Sequence, residues 1–280
     1  PSPHRHPMKK TCSSRQQTTK FTATQPFMTF QMKWDTCDDL TNYVLQLGDD
    51  ALVLGHRLSE WCGHGPILEQ DIALSNISLD LIGLARQYYQ YAAELIGDDM
   101  TEDHIAYLRD VGDFHNHSMM EQPNGHWGDT LVRQCLYDVF HQDYLTALTR
   151  SSDQRLAAIA VKALKEVNYH VQFSSEWLIR LGDGTQESHD KVQNSLQDLM
   201  TYSAEFFQAS KADAWALKQG VGPDVAALKP GWDSRMDTLI SQATLSRPAA
   251  DAAIWQGKEG SHGEFLALLL SEMQSLPRSY

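Results

Sequence analysis

The sequence predicts an all-α fold, and three observations carry that reading. From Asp49 onward apolar residues recur at spacings of three and four, the period of a helix packed on one face. No run alternates β-branched and polar residues as a half-buried strand does. The periodic stretches also fall into two pairs joined by one long connection.

The first core helix is expected over residues 50–62, with Leu54, Leu58 and Trp61 on one face and Gly63 and Pro66 ending it. The second spans 66–96 and carries Leu74, Ile77, Leu81, Leu84, Tyr88, Ala92 and Leu95, with further apolar residues around its circumference, so it is expected to be central. Gly97-Asp98-Asp99 breaks it, a short helix over 102–108 follows, and Gln122-Pro123-Asn124-Gly125 marks a turn. The third long helix, 129–149, turns Leu131, Cys135, Leu136, Val139 and Leu145 inward. Ser151-Ser152-Asp153 supplies a short turn and the next N-cap, which makes the third and fourth helices antiparallel neighbours. The fourth, 154–181, aligns Leu156, Ala163, Val167, His170, Trp177 and Leu181 and stops at Gly182-Asp183-Gly184. A fifth is expected over 187–207, and the tail, broken by Gly220, Gly222, Pro223, Pro230 and Gly231, offers amphipathic segments over 234–245 and 265–273. Two helix pairs with a long crossover are the architecture of a ferritin-like bundle, here with extra C-terminal helices, over residues 36–280.

Residues 1–35 are rich in Ser, Thr, Gln, Pro and Lys without apolar periodicity, so they read as a disordered N-terminal tail in which Met28 or Met32 is a candidate native start. With 23 Lys and Arg against 36 Asp and Glu, the formal charge of −13 argues against nucleic acid or an anionic membrane as the partner. No apolar run approaches the roughly 20 residues of a membrane span, and no secretory leader is apparent. Cys12, Cys37, Cys62 and Cys135 are widely spaced, which favours reduced thiols in a cytoplasm over a disulfide framework or zinc knuckle.

Di-iron bundles of this architecture take one Glu from each of two helices and a Glu-x-x-His from each of the others, because residues three apart on a helix face the same metal. The four bundle helices contain no Glu-x-x-His, and their one acidic counterpart is Asp138-Val139-Phe140-His141. Glu166 and His170 lie four apart, and His170 sits on the apolar stripe, where a hydrogen-bonded core histidine explains it as well as a metal does. Glu60 has His56, Arg57 and His64 as helical neighbours, so ion pairing accounts for it without a metal. Asp80 interrupts an apolar stripe and needs a partner, while Gly83, three residues on, points to close packing by another element. Tyr88, Tyr89 and Tyr91 with Trp61 and Trp177 read as core and interface packing.

The stretches GDDALVLGHRLSEWCGHGPILEQDIALSNISLDLIGLARQYYQYAAEL, EQPNGHWGDTLVRQ, KALKEVNYHVQFSSEWLIRLGDGT and GSHGEFLALLLSEMQ resemble the C subunit (PaaC type) of phenylacetyl-CoA epoxidase complexes, in order and over roughly residues 41–275. The resemblance implies a ferritin-like, non-catalytic subunit of a ring-epoxidising monooxygenase in phenylacetate catabolism. Its partners would be a homologous catalytic A subunit, which carries the di-iron centre, and the other subunits of the complex, with contact to phenylacetyl-CoA at the interface. A separate reductase with FAD and an iron-sulfur centre would supply electrons from NADPH, and no cofactor is expected in this chain. Carried over position by position, Glu60 keeps the helix-one Glu, Asp80 and Gly83 replace the helix-two Glu and His, Asp138 takes the helix-three carboxylate, Val167 replaces the helix-four Glu, and His170 keeps the helix-four His. One imidazole then remains where two are needed. The remnant cluster is expected to satisfy itself internally, with Arg57, His64 or Gln87 as further partners. The alternatives are a mononuclear metal site built from Glu60, Asp80, Asp138 and His170, and a free-standing storage bundle.

Overall fold

The computed structural model describes residues 37–97, 99–249 and 256–279, which contain nine α-helices and no strand. The tail reading of residues 1–35 and both candidate starts lie outside these residues. The bundle is made by α1 (Asp39–Ser59), α2 (Leu68–Ile96), α4 (Trp127–Leu148) and α5 (Gln154–Gly182). Around it lie α3 (Glu102–Tyr107), α6 (Gln186–Met200), α7 (Lys211–Gln219), α8 (Val225–Gln242) and α9 (Glu264–Ser275).

The directions follow from cross-helix contacts. Gly48 on α1 lies against Tyr89 on α2, and Gly55 lies against Ser78 and Ile82, so these two helices run antiparallel. Gln142 meets Asn168, and Asp138 meets Ser174, which makes α4 and α5 antiparallel as well. Arg155 of α5 pairs with Glu94 near the end of α2, while His170 meets Asp80, so α2 and α5 are also antiparallel. It follows that α2 and α4 run the same way, and two parallel helices in sequence need the long crossover that residues 97–126 provide. That topology is the ferritin-like one.

Local chemistry places the boundaries. Asp38 caps α1 by accepting from the Thr41 N–H at 2.7 Å, eleven residues before the start expected from periodicity. The N-terminal half of α1 hides its apolar stripe because Thr41, Gln46, Asp49 and Asp50 are buried beside Tyr43, Val44 and Leu45. Asp153 caps α5 as expected, accepting from the N–H groups of Arg155 and Leu156. The fifth expected helix divides into α6 and a 3-10 turn over Thr201–Phe207. Helix α7, which the sequence reading passes over, opens on a Ser210–Asp213 capping box. Pro230 does not break the tail as expected, because α8 runs through it. The prolyl ring is exposed, as is Ala226, whose carbonyl loses its helical donor to solvent, and Trp232 anchors the helix by donating to the Leu136 carbonyl at 3.0 Å.

The interior is aliphatic between α1 and α2, where Leu54, Leu58, Leu74, Ile77 and Leu81 are buried, each contributing about 1.5–3 kcal/mol of transfer free energy. Aromatic packing dominates where α4 meets the 3-10 turn and α8, with Phe140 stacked on Phe206 at 4.8 Å and Trp232 against Phe207 at 5.3 Å. Among the described residues no helix is long and apolar enough to cross a membrane.

Candidate functional site

Three of the six positions singled out in the sequence meet at the centre of the bundle. Helix α2 brings Asp80, α4 brings Asp138 and α5 brings His170. His170 is 1 % exposed, and its Nε2 lies 3.1 Å from Asp80 Oδ2, whose side chain is 35 % exposed. Asp138 is fully buried and accepts hydrogen bonds from Gln134 Nε2 at 2.6 Å and Ser174 Oγ at 2.8 Å. Burial drives its carboxyl up to about 6, against the opposing pull of His170, Ser174 and Gln134.

The other three positions do not join them. Val167 is buried one turn from His170 and offers only an aliphatic surface. Gly83 is exposed, and a Cβ built there meets nothing within 4 Å. The close approach expected at Gly83 occurs instead at Gly48, where a Cβ would run into the Tyr89 ring, and at Gly55, where it would lie 2.9 Å from Ile82 Cγ1. Glu60 caps the C-terminal end of α1, where Arg57 Nη1 and Asn124 Nδ2 each hold its carboxylate at 2.8 Å. The contacts of Gly55 put it level with Asp80, so Glu60 stands five residues further along α1, roughly 7.5 Å of helical rise.

Of the supporting partners expected, Arg57 pairs with Glu60 as expected but also turns elsewhere, and His64 and Gln87 do not join the cluster. Arg57 bonds the carbonyls of Glu121 and Phe265, His64 meets the Cys62 carbonyl, and Gln87 donates to the Gly83 carbonyl. Ser174 and Gln134 satisfy the central carboxylate instead. Ser174 lies four residues past His170, and Gln134 four before Asp138. That helical spacing is the one sequence signal that could have pointed to them.

This donor set does not fit a di-iron centre. It holds a single imidazole and two short carboxylates, of which Asp138 already accepts from Gln134 and Ser174, with an aliphatic residue and a glycine at two further positions. Among the described residues no group of three or more His, Cys, Asp or Glu side chains is arranged to hold a metal. The chain's one Glu-x-x-His, Glu259 to His262, lies outside the bundle helices. Its Glu259 side chain accepts from the Lys211 N–H, while His262 turns to Glu121 at 3.0 Å.

Most of the buried charge lies elsewhere, in networks that the sequence reading missed. Arg109 of the crossover and Asp49 of α1 form an ion pair whose side chains are wholly buried, and Asp49 also accepts from the Tyr89 hydroxyl and the His115 N–H. Lys258 and Asp213 form a second buried pair, with Gln46 and Ser210 completing it. Asp50 accepts from both the backbone and the ring of His117. These carboxylates gather the crossover, α1 and the C-terminal segments around the bundle.

Comparison with known proteins fits this arrangement to a family. The model of the PaaA_PaaC family, phenylacetic acid catabolic protein, matches residues 28–280. The chain belongs to this family. A relative within reach of direct comparison is the C subunit of the 1,2-phenylacetyl-CoA epoxidase of Escherichia coli strain K12, which is 45% identical over 241 residues, 86% of this chain and 97% of the relative. In this member of the family the bundle core pairs Asp80 with His170, and Asp138 with Gln134 and Ser174.

Proposed function

We propose that this chain is the C subunit of a phenylacetyl-CoA epoxidase in phenylacetate catabolism, working in the cytoplasm as a structural subunit without a catalytic site of its own. One observation carries the reading: Asp80 is taken up by His170, Asp138 is taken up by Ser174 and Gln134, and Val167 and Gly83 provide no ligand. The catalytic di-iron chemistry then belongs to a homologous A subunit, and the reductive equivalents to a separate flavin and iron-sulfur component.

The surface supports an assembly role. Helix α2 exposes Leu68, Ile72 and Leu79 along one side, and α5, packed beside it, exposes Tyr169 one residue from His170. Large apolar residues recurring on one exposed side of a helix suit a protein partner better than solvent. The Asp80–His170 pair sits between the same two helices, so the partner's approach covers the half-exposed Asp80 carboxylate.

The test is co-expression with an A-type subunit, followed by metal counting on each separated chain and a phenylacetyl-CoA epoxidation assay. The expected result is a stable complex, iron in the A-type chain, and turnover only when both chains and a reductase are present. Stoichiometric iron or manganese in this chain, or epoxidation by this chain without the A-type subunit, overturns the reading in favour of a mononuclear site.

A further inference from the structure

Where the crossover lies on the bundle, a cavity of about 20 Å³ is lined by Asp50 of α1, Tyr88 of α2, His117 of the crossover, and Tyr137, Phe140 and His141 of α4, among others. Two of these groups are buried with an unused nitrogen. His117 places Nδ1 2.7 Å from Asp50 Oδ2, and a carboxylate only accepts, so Nδ1 carries the hydrogen. Its Nε2 has no hydrogen-bond partner. His141 stacks on Tyr137 with ring centroids 4.9 Å apart, and its Nδ1 is likewise without a partner. Burial, with His170 and His117 nearby, pushes His141 down to about 3, so this ring is neutral and one of its nitrogens carries a lone pair. Burial also raises Tyr88 and Tyr137, which keeps their hydroxyls as donors.

A carboxylate behind an imidazole with a free Nε2 is the arrangement of a general base. The volume decides against that use. About 20 Å³ exceeds the roughly 10–15 Å³ that one water needs and is far below a ligand pocket of some 300 Å³ or more. The lining also suits water in kind, since a water can donate to or accept from an imidazole nitrogen and from a phenol hydroxyl.

We propose that this cavity is an internal hydration site, in which one ordered water bridges His117 Nε2, His141 Nδ1 and the hydroxyls of Tyr88 and Tyr137. The water ties the crossover to α2 and α4 at the point where Asp50 already ties it to α1. This site is independent of the proposed pairing with an A-type partner, because neither its lining nor its occupant involves a second chain.

A crystal structure of the full chain at about 1.8 Å or better tests it. The expected result is a single peak about 2.7–3.2 Å from both nitrogens. A featureless cavity overturns the proposal, and so does a peak with anomalous signal at about 2.0–2.2 Å, the distance of a nitrogen-bound metal. In solution, Tyr88→Phe and Tyr137→Phe are compared singly and together. A shared water makes the second substitution lower Tm by less than half as much in the presence of the first, whereas two fully additive losses overturn the shared site.

Discussion

Asp138 shows how a single buried carboxylate shapes the behaviour of the chain with pH. Burial raises it from 3.8 to about 6, although Ser174 and Gln134 both donate to it. The folded state therefore holds this proton more tightly than the unfolded state does, and between about pH 4 and 6 it carries more of it. Stability from this group is fully present below pH 4 and is lost as pH rises through 6, a change on the order of 3 kcal/mol. Asp138→Asn removes the titration and keeps a polar shape, and the Gln134 Oε1 atom, which has no partner, can turn to accept from the new amide. Urea melts of both proteins at pH 4, 5, 6 and 7 are expected to show Asp138→Asn gaining on the wild type as pH rises, by about 1–3 kcal/mol near pH 7 on that scale. A difference that is flat or shrinks with pH contradicts the assignment. The side chains around Asp138 were only partly legible in the sequence. Asp80, Asp138 and His170 stand out as polar breaks in apolar stripes, but a serine and a glutamine recruited as hydrogen-bond donors leave no such break.

At the scale of elements, the two helix hairpins depend on where backbones touch. Gly55 lets α1 approach α2 closely enough for Ser78 Oγ to donate to the Gly55 carbonyl at 2.7 Å, and an added Cβ would meet Ile82 Cγ1 at 2.9 Å and the Ser78 carbonyl at 3.3 Å. Gly83 stands on the exposed side of α2 with open space around it. Both residues are helical, so Gly→Ala gains the same propensity, up to about 1 kcal/mol, and only the packing differs. Gly83→Ala is expected to raise stability by about 0.5–1 kcal/mol, and Gly55→Ala to lower it by about 1–3 kcal/mol because the hairpin must open. Chemical denaturation checks both signs, and a stabilising Gly55→Ala contradicts the close contact. These elements also divide by how they are held. Helices α2, α4 and α5 follow apolar periodicity and were readable to within a residue or two. The first half of α1 was not, since Gln46, Asp49 and Asp50 are buried through partners far along the chain, in Asp213, Arg109 and His117. The crossover was opaque for the same reason: its buried Arg109, His117 and Glu121 read as loop polarity until their partners are known. Helix α7 is short, and only its capping box announces it.

At the scale of the whole bundle, large apolar residues stand exposed along one side of α2. Leu79 is 65 % exposed, and Leu68 and Ile72 extend the same side of α2 toward its N-terminus. Each of these residues is more than half exposed, and their exposure is expected to serve an assembly partner, which the proposed role identifies as the homologous A-type subunit. Leu79→Asp places a charge at the middle of that stripe. Burying an unpaired carboxylate in an apolar interface costs at least about 2 kcal/mol, equivalent to roughly 30-fold in affinity. Far-UV circular dichroism and Tm are expected to match the wild type, because the substituted side chain is already in water. Co-purification with a tagged A-type subunit is expected to fall by that factor, and epoxidation of phenylacetyl-CoA at protein concentrations near Kd to fall with it. Leu268→Asp on α9 is the control, since Leu268 is also well exposed but lies on a helix outside the four that form the bundle. If Leu79→Asp pairs as tightly as the wild type, the stripe on α2 is not the docking face. If both substitutions weaken pairing equally, the effect is one of added charge on a chain already at −13 and not of place. A loss confined to Leu79→Asp assigns the face.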